Sequence, residues 1–249
     1  MKAATLRNTS MIGLCILASN NASADGLSAS TFIGFGETPY KNTSSDNTPL
    51  PFIQYDSDNW YIKGTNIGAY LTKSREHQLS IFAGYSPFKF DPQDSNDIQM
   101  RRLDDRYTTG ILGVDYTHYS RSGIVSAKLT HDFLDVYNGL NADLSYGLMF
   151  PLNNIRIMPK AGITWSSSDF NDYYFGISSA EANRSGLDAY DADASITPYL
   201  SVTTIVTLSE RVSLMLNADA RFLPSEVTDS PMVDKDTIYG GSVGLSYTF

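Results

Sequence analysis

The sequence predicts an all-β chain closed into a transmembrane antiparallel barrel of 10 to 12 strands, with the segment count leaning to 12. Three observations predict it. Apolar side chains recur at every second position through segments of about ten residues, the length that crosses a bilayer as a tilted strand. Aromatic residues gather near the ends of those segments, in a chain with 16 Tyr, 12 Phe and 2 Trp, as barrels require where they meet water. The connections between segments alternate between short and long.

A soluble β-sandwich alternates as well, and the carboxyl-terminal segment decides between the two. Tyr239, Gly241, Val243, Leu245, Tyr247 and Phe249 share one face, while Ile238, Gly240, Ser242, Gly244, Ser246 and Thr248 share the other. A sandwich gives no reason to stop on an aromatic after such a run, whereas a strand turned to lipid does. Val243, Leu245, Tyr247 and Phe249 are therefore the expected assembly signal, read by the barrel-assembly machinery.

In chain order, residues 1–24 read as a removable export leader. Lys2 and Arg7 precede an apolar run from Met11 to Ala18, and Ala22-Ser23-Ala24 supplies the small-residue cleavage pattern. That run is far shorter than the roughly 20 residues of a membrane-crossing helix. Cleavage is expected after Ala24, leaving residues 25–249 as a single barrel domain that starts at Asp25. Leu14 ahead of Cys15 is not the small residue that lipid modification needs. Cys15 is the only cysteine, so the exported chain has neither disulfides nor thiolate metal sites. Without Lys2 and Arg7, 16 basic residues face 27 acidic ones, a formal charge of −11, which argues against a nucleic-acid partner. No run of 18 apolar residues follows the leader, which excludes a transmembrane helix.

Leu27 to Gly36, Pro49 to Tyr55, Trp60 to Thr72 and Leu79 to Ser86 read as the first strands. Within the third of these the phase slips at Thr65 and Asn66, which reads as a bulge. Alternation is cleaner afterwards. Leu112, Val114 and Tyr116 form one apolar face, Val125, Ala127 and Leu129 the next, then Leu140 to Phe150, Ile155 to Trp165, Ile196 to Thr207, Val212 to Phe222 and the terminal segment. These make eleven segments, and single-chain bacterial barrels almost always have an even number. Short connections at Ser74 to His77, Ser120 to Gly123, Pro151 to Asn154 and Leu208 to Arg211 are expected on the periplasmic side with Phe249. Pro87 to Arg106, Ser166 to Ser195 and Leu223 to Asp236 are the long outer loops.

On the inward face Asp115, Asp132, Asp143 and Asp219 balance Lys128, Arg156, Lys160 and Arg221. A wide selective pore would show a ring of one sign, so the balance predicts a paired lumen charge network and a filled lumen or narrow channel, as in small barrels packed by side chains. An outer-membrane hydrolase would need a nucleophile beside a base. The histidines available are His77 in a turn and His118 and His131 on the lipid-facing phase. No spacing suggests a catalytic elbow, a metal site or a cofactor, so the reading is of a protein that is not an enzyme.

In the loop from Ser166 to Ser195, Ser178 and Glu181 have capping-box spacing and Gly186 is a terminator, predicting a short helix over Ser179 to Arg184 in a lid on the barrel mouth. Gln99 to Arg106 sets three arginines beside two aspartates, expected to form a local ion-pair network that is weak when solvated.

The loops also carry a recognisable signature. Asn171-Asp172-Tyr173-Tyr174-Phe175-Gly176-Ile177-Ser178 is followed by Glu181-Ala182, Arg184-Ser185-Gly186-Leu187 and Ala189-Tyr190, then by Val227-Thr228-Asp229-Ser230-Pro231-Met232-Val233-Asp234. With Glu37, Pro39 and Tyr40, these make the chain resemble the MipA/OmpV outer-membrane family over essentially all of the exported length. The resemblance implies export through the periplasm to the outer membrane, contact with its lipid, and a scaffold linking a murein lytic transglycosylase to a bifunctional penicillin-binding protein. A small-solute channel and a surface adhesin are the alternatives known in the family. The signature residues Tyr173, Tyr174, Gly176, Glu181, Arg184, Gly186, Asp229, Ser230, Pro231 and Asp234 fall in outer loops, where a wall enzyme cannot reach them. They are expected to stabilise or plug the barrel, leaving the four periplasmic turns for any such partner.

Overall fold

Twelve antiparallel strands pair in sequence until the last meets the first. The computed structural model describes residues 26–43 and 49–249; the expected leader lies outside them. The strands are β1 (Gly26–Gly36), β2 (Pro49–Asp56), β3 (Trp60–Lys63), β4 (Asn66–Lys73), β5 (His77–Ser86), β6 (Thr109–Ser120), β7 (Gly123–Asp132), β8 in two pieces (Leu140–Gly147 and Phe150–Leu152), β9 (Ile155–Ser166), β10 (Ser195–Thr207), β11 (Val212–Phe222) and β12 (Thr237–Thr248). The run Ser28↔Thr248 through Gly36↔Gly240 closes β1 on β12. Closure gives every spanning strand a hydrogen-bonded neighbour on each side, the condition for placing backbone in hydrocarbon. Among the described residues no helix is long and apolar enough to cross a membrane.

The twelfth strand comes from the segment where the sequence slips phase. Trp60 to Thr72 is not one bulged strand but the hairpin β3–β4, with Ile62 opposite Ile67 and Lys63 opposite Asn66. Gly64 takes φ 62° in the two-residue turn, a left-handed conformation that costs glycine little. A two-residue turn pairs even positions with odd ones, so Trp60 and Ile62 keep the same outward face as Ala69 and Ile67. The slip that resembles a bulge is this change of parity, and the register irregularity lies further on, between Tyr70 and Thr72.

Outward side chains are apolar and exposed around the wall, among them Ile33, Ile67, Leu71, Ile81, Leu112, Leu129, Leu144, Leu200 and Leu245. Trp60, Tyr116, Tyr146 and Tyr247 sit towards one rim and Phe35, Tyr85, Trp165, Phe222 and Tyr239 towards the other, giving the two aromatic girdles. Inside, large rings lie across strands on glycines: Phe32 opposite Gly244, Tyr61 opposite Gly68, Phe82 opposite Gly113 and Tyr199 opposite Gly162. A β-carbon on Gly244 or Gly113 would overlap the facing ring, so the bare backbone is what lets these rings lie flat and fill the waist.

Short connections at 57–59, 74–76, 121–122, 153–154 and 208–211 share the periplasmic end with Gly26 and Phe249. The described part of the first outer connection, 37–43, and the connections at 87–108, 133–139, 167–194 and 223–236 lie at the extracellular end. Of these outer loops, 167–194 holds helices α1 (Ser168–Phe175) and α2 (Ser179–Ser185), and 223–236 holds the single turn α3 (Ser225–Thr228).

Candidate functional site

The main apolar core of the described residues is above the barrel rather than within it. Tyr40, Phe88, Phe90, Met100, Leu103, Tyr137, Tyr174, Phe175, Ile177, Val227, Met232 and Val233 pack into one cluster, and they come from all five long outer loops. The loops therefore form a lid with its own interior.

Helix α1 sets its aromatic side chains into that interior. Ser167 caps it, accepting from the Phe170 amide, and its hydroxyl also accepts from the Leu140 amide at 3.0 Å, tying the cap to the wall. Phe170, Tyr173 and Tyr174 follow at helical spacing. Tyr174 is fully buried, edge-on to Phe88 at 4.2 Å between ring centroids, and its hydroxyl donates to the Tyr107 carbonyl at 2.9 Å. Burial pushes its phenol well above the usual range, so it is a neutral donor. The hydroxyl of Tyr40, also buried and raised for the same reason, donates to the Tyr174 carbonyl at 3.2 Å.

Helix α2 forms where the capping-box spacing places it. Ser178 Oγ accepts from the Glu181 amide while Glu181 Oε2 accepts from the Ser178 amide at 3.0 Å, and Gly186 ends the helix at φ 77°. The second carboxylate oxygen of Glu181 leaves the helix altogether. Oε1 accepts from the Asp104 amide at 2.9 Å and from Arg106 Nη2 at 2.9 Å. Arg106 in turn donates to the carbonyls of Asp104 at 3.0 Å and Gly176 at 3.1 Å. Burial pushes the Glu181 carboxyl up, but the two amides and the guanidinium outweigh it and hold the group below its ordinary range.

This corrects the reading of Gln99 to Arg106 as a local, solvated network. Arg106 and Glu181 are 7% and 3% exposed, and their bond joins two loops. Arg184 continues the seam, donating through Nε to the Arg102 carbonyl and pairing with Asp104, while Gln99 Nε2 donates to the Gly186 carbonyl at 3.0 Å.

The remaining signature residues close the lid from the other side. Ser230 Oγ donates to the Phe175 carbonyl at 2.6 Å, and Met232 is fully buried. Val233 bridges to Tyr40, and the Tyr190 hydroxyl donates to the Glu226 carbonyl at 3.1 Å. Tyr173 accepts the Tyr107 amide at 2.8 Å, and Gly176 is the C-cap of α1. Asp229 is the C-cap of α3. Pro231 is half-buried and Asp234 exposed beside them; the Asp234 amide donates to the Pro39 carbonyl at 3.3 Å.

Below the lid the inward charges divide. Asp115 and Lys128 are cross-strand partners 3.9 Å apart, and Asp219 lies 3.9 Å from Arg221 Nε. Asp143 accepts from Thr164 at 3.0 Å and from Tyr199 at 3.1 Å, and both Lys160 and Arg221 stand over the Tyr199 ring. Asp132 does something else. It is the last residue of β7 and accepts from Thr109 Oγ1 and from the amides of Leu134, Tyr137 and Asn138, so it folds the 133–139 loop rather than pairing across the lumen. In that loop burial and the Asp132 carboxylate push the Tyr137 phenol up to about 12. Arg156 is half-buried near the periplasmic end, and no ion pair to it is found among the described residues. A further cluster escapes the sequence reading: Asp56 pairs with Lys63 at 2.9 Å and Lys73 at 2.7 Å, with the Tyr70 hydroxyl between them. It lies in the hairpin region where the phase slip hides the inward face.

Of these groups Lys63, Tyr70, Asp115, Lys128, Asp143 and Lys160 border a crevice of about 210 Å³ that runs from the periplasmic ends of β5 to β8 to mid-barrel and is also lined by Tyr61, Tyr119 and Ser201. Among the described residues no group of three or more His, Cys, Asp or Glu side chains is placed to hold a metal ion.

A family model described as MltA-interacting protein MipA matches residues 31–249. The protein named YiaT from Escherichia coli (strain K12) is 35% identical over 229 residues, covering 92% of this chain and 93% of its own. The MltA-interacting protein of the same strain is 37% identical over 217 residues, covering 87% and 88%. The crystal structure of an outer membrane channel from Pseudomonas putida F1 superposes with a TM-score of 0.44 at 10% identity, covering 91% of this chain and 96% of that one.

Proposed function

This chain belongs to the MltA-interacting protein MipA family of the outer membrane, and from that premise we propose that it serves there as a scaffold and not as an enzyme. In this reading its periplasmic turns hold a murein lytic transglycosylase beside a bifunctional penicillin-binding protein, coordinating wall cleavage with synthesis. Val243, Leu245, Tyr247 and Phe249 engage the barrel-assembly machinery on the way to the lipid.

The observation that carries the reading is the use made of the outer loops. Their signature residues are spent on one another inside the lid, which leaves the periplasmic rim as the surface a wall enzyme can meet. The 153–154 turn is tied to the end of β10: Asn154 accepts from the Thr207 amide at 2.8 Å and returns a side-chain bond to the Thr207 carbonyl at 3.2 Å. Leu152 and Leu208 stand exposed beside that junction. A standard interface buries about 800 Å² per partner, which needs most of Ser74 to His77, Ser120 to Gly123, Pro151 to Asn154 and Leu208 to Arg211 to take part. Replacing these turns with Gly/Ser linkers should abolish pull-down of a lytic transglycosylase while the barrel still assembles; unchanged pull-down sinks the reading.

The polar crevice favours a second reading, a small-solute channel whose lid must move. That reading requires stepwise conductance in planar bilayers, which the scaffold does not.

A further inference from the structure

The periplasmic rim carries a cluster of donor atoms that the scaffold reading does not use. His77 opens β5, and His118 lies directly opposite it on β6. Both are on the outward phase, where Tyr116 belongs to the lower aromatic girdle. Their Nδ1 atoms are 3.3 Å apart, while the ring centroids are 4.6 Å apart and the planes inclined by 29°. The rings therefore converge at their Nδ1 edges. Tyr116 Oη lies 2.8 Å from His77 Nδ1, and the Glu76 carbonyl oxygen lies 3.1 Å from His118 Nδ1.

The backbone beneath is fixed. The His77 amide donates to Ser74 Oγ at 2.9 Å, the Ser74 amide donates to the His77 carbonyl at 2.8 Å, and Glu76 also accepts the Tyr119 amide at 2.8 Å. Hydrogen bonds account for the outer contacts: His77 Nδ1 and Tyr116 Oη share one, its direction set by the His77 tautomer, and His118 Nδ1–H donates to the Glu76 carbonyl. The two Nδ1 atoms also stand within hydrogen-bond distance of each other, so both rings turn the same edge towards one point at the rim.

Two imidazoles bound at about 2.0–2.1 Å to a tetrahedral ion stand about 3.3–3.4 Å apart. The observed separation of the two nitrogens matches that spacing. We propose that His77 and His118 form a chelating pair for a divalent transition-metal ion, with Tyr116 Oη and the Glu76 carbonyl facing the remaining positions. Imidazole donors select Cu²⁺, Ni²⁺ and Zn²⁺ over the hard cations, and Cu²⁺ stands highest in intrinsic affinity. His77 and Glu76 are exposed, so an ion reaches the site from the periplasm. Bound there it clips β5 to β6 at the rim, and it stabilises the barrel by mass action.

The test uses the untagged, full barrel folded in detergent, with Cu²⁺ alone as the probe. Electron paramagnetic resonance should show one copper per barrel coupled to two imidazole nitrogens. His77→Ala and His118→Ala should each weaken binding by at least the roughly tenfold that even an outer-shell partner commands. His131→Ala should leave it unchanged, since that ring sits at the opposite end against the Gly139 carbonyl. Zn²⁺ should raise the melting temperature of the parent and not of the double variant, whose folding is checked by its heat-modifiable migration. Copper coupled to no imidazole, or bound equally by the His77→Ala/His118→Ala barrel, overturns the proposal.

Discussion

Arg106 Nη2 lies 2.9 Å from Glu181 Oε1 across 75 residues of sequence, inside the lid. This contact joins the 87–108 loop to α2. Removing one member of a buried pair leaves the other charge uncompensated, a loss of about 3–5 kcal/mol. Arg106→Ala or Glu181→Ala should therefore release the lid, seen as faster hydrogen exchange at the Asp104 and Ile177 amides. The double variant should lose less than the sum of the singles, because the two act as one unit.

The same carboxylate sets a pH response. Glu181 is held below its reference value of 4.5 in the folded lid, so its contribution is fully present above that value and is lost as pH falls through the lower folded value. Lid protection should decline under acid below 4.5 in the parent. In Glu181→Gln it should start lower and lack that acid step. An equal acid step in both proteins contradicts the assignment.

Tyr174 separates packing from hydrogen bonding. Tyr174→Phe keeps the ring and removes the donor to Tyr107, a cost of about 1 kcal/mol. Tyr174→Ala also empties the centre of the lid, a cost of about 3–5 kcal/mol. Urea titration of lid exchange should rank the parent, the Phe variant and the Ala variant in that order.

Phe32 and Gly244 test the waist. Gly244→Val places a branched side chain where the Phe32 ring lies, and overpacking of this kind costs about 1–3 kcal/mol or more. The assembled, heat-modifiable fraction should fall, and Phe32→Ala in the same chain should restore part of it. Failure of that second change to help contradicts the ring-on-glycine packing.

How much of this was legible follows from range. The odd and even faces of Val212 to Phe222 are local, and so is the Ser178, Glu181 and Gly186 pattern that marks α2. The extra strand shows in the sequence only as a phase slip between Ile62 and Ile67, and it reads as a bulge because a bulge and a two-residue turn change parity alike. The outer loops read as a lid or plug from their signature residues, whereas Arg106 reads as a partner of its sequence neighbours. Nothing within one chain links it to a carboxylate in another loop. Asp132 counted as a lumen charge by parity alone, although at the end of β7 the nearest groups are loop amides. The Asp56, Lys63 and Lys73 cluster was lost with the face assignment of its strands.

The central claim is that the outer loops close the barrel and leave its crevice to the periplasm. With Cys15 the only native cysteine and expected to leave with the leader, Ser201→Cys places one thiol in the crevice beneath the lid. Intact cells would be treated with a maleimide too large for general porins, before and after the outer membrane is permeabilised. Labelling should appear only after permeabilisation in the otherwise unaltered chain, and from outside once Arg106→Ala and Glu181→Ala are added. Rapid labelling of the single variant from outside contradicts the closed lid.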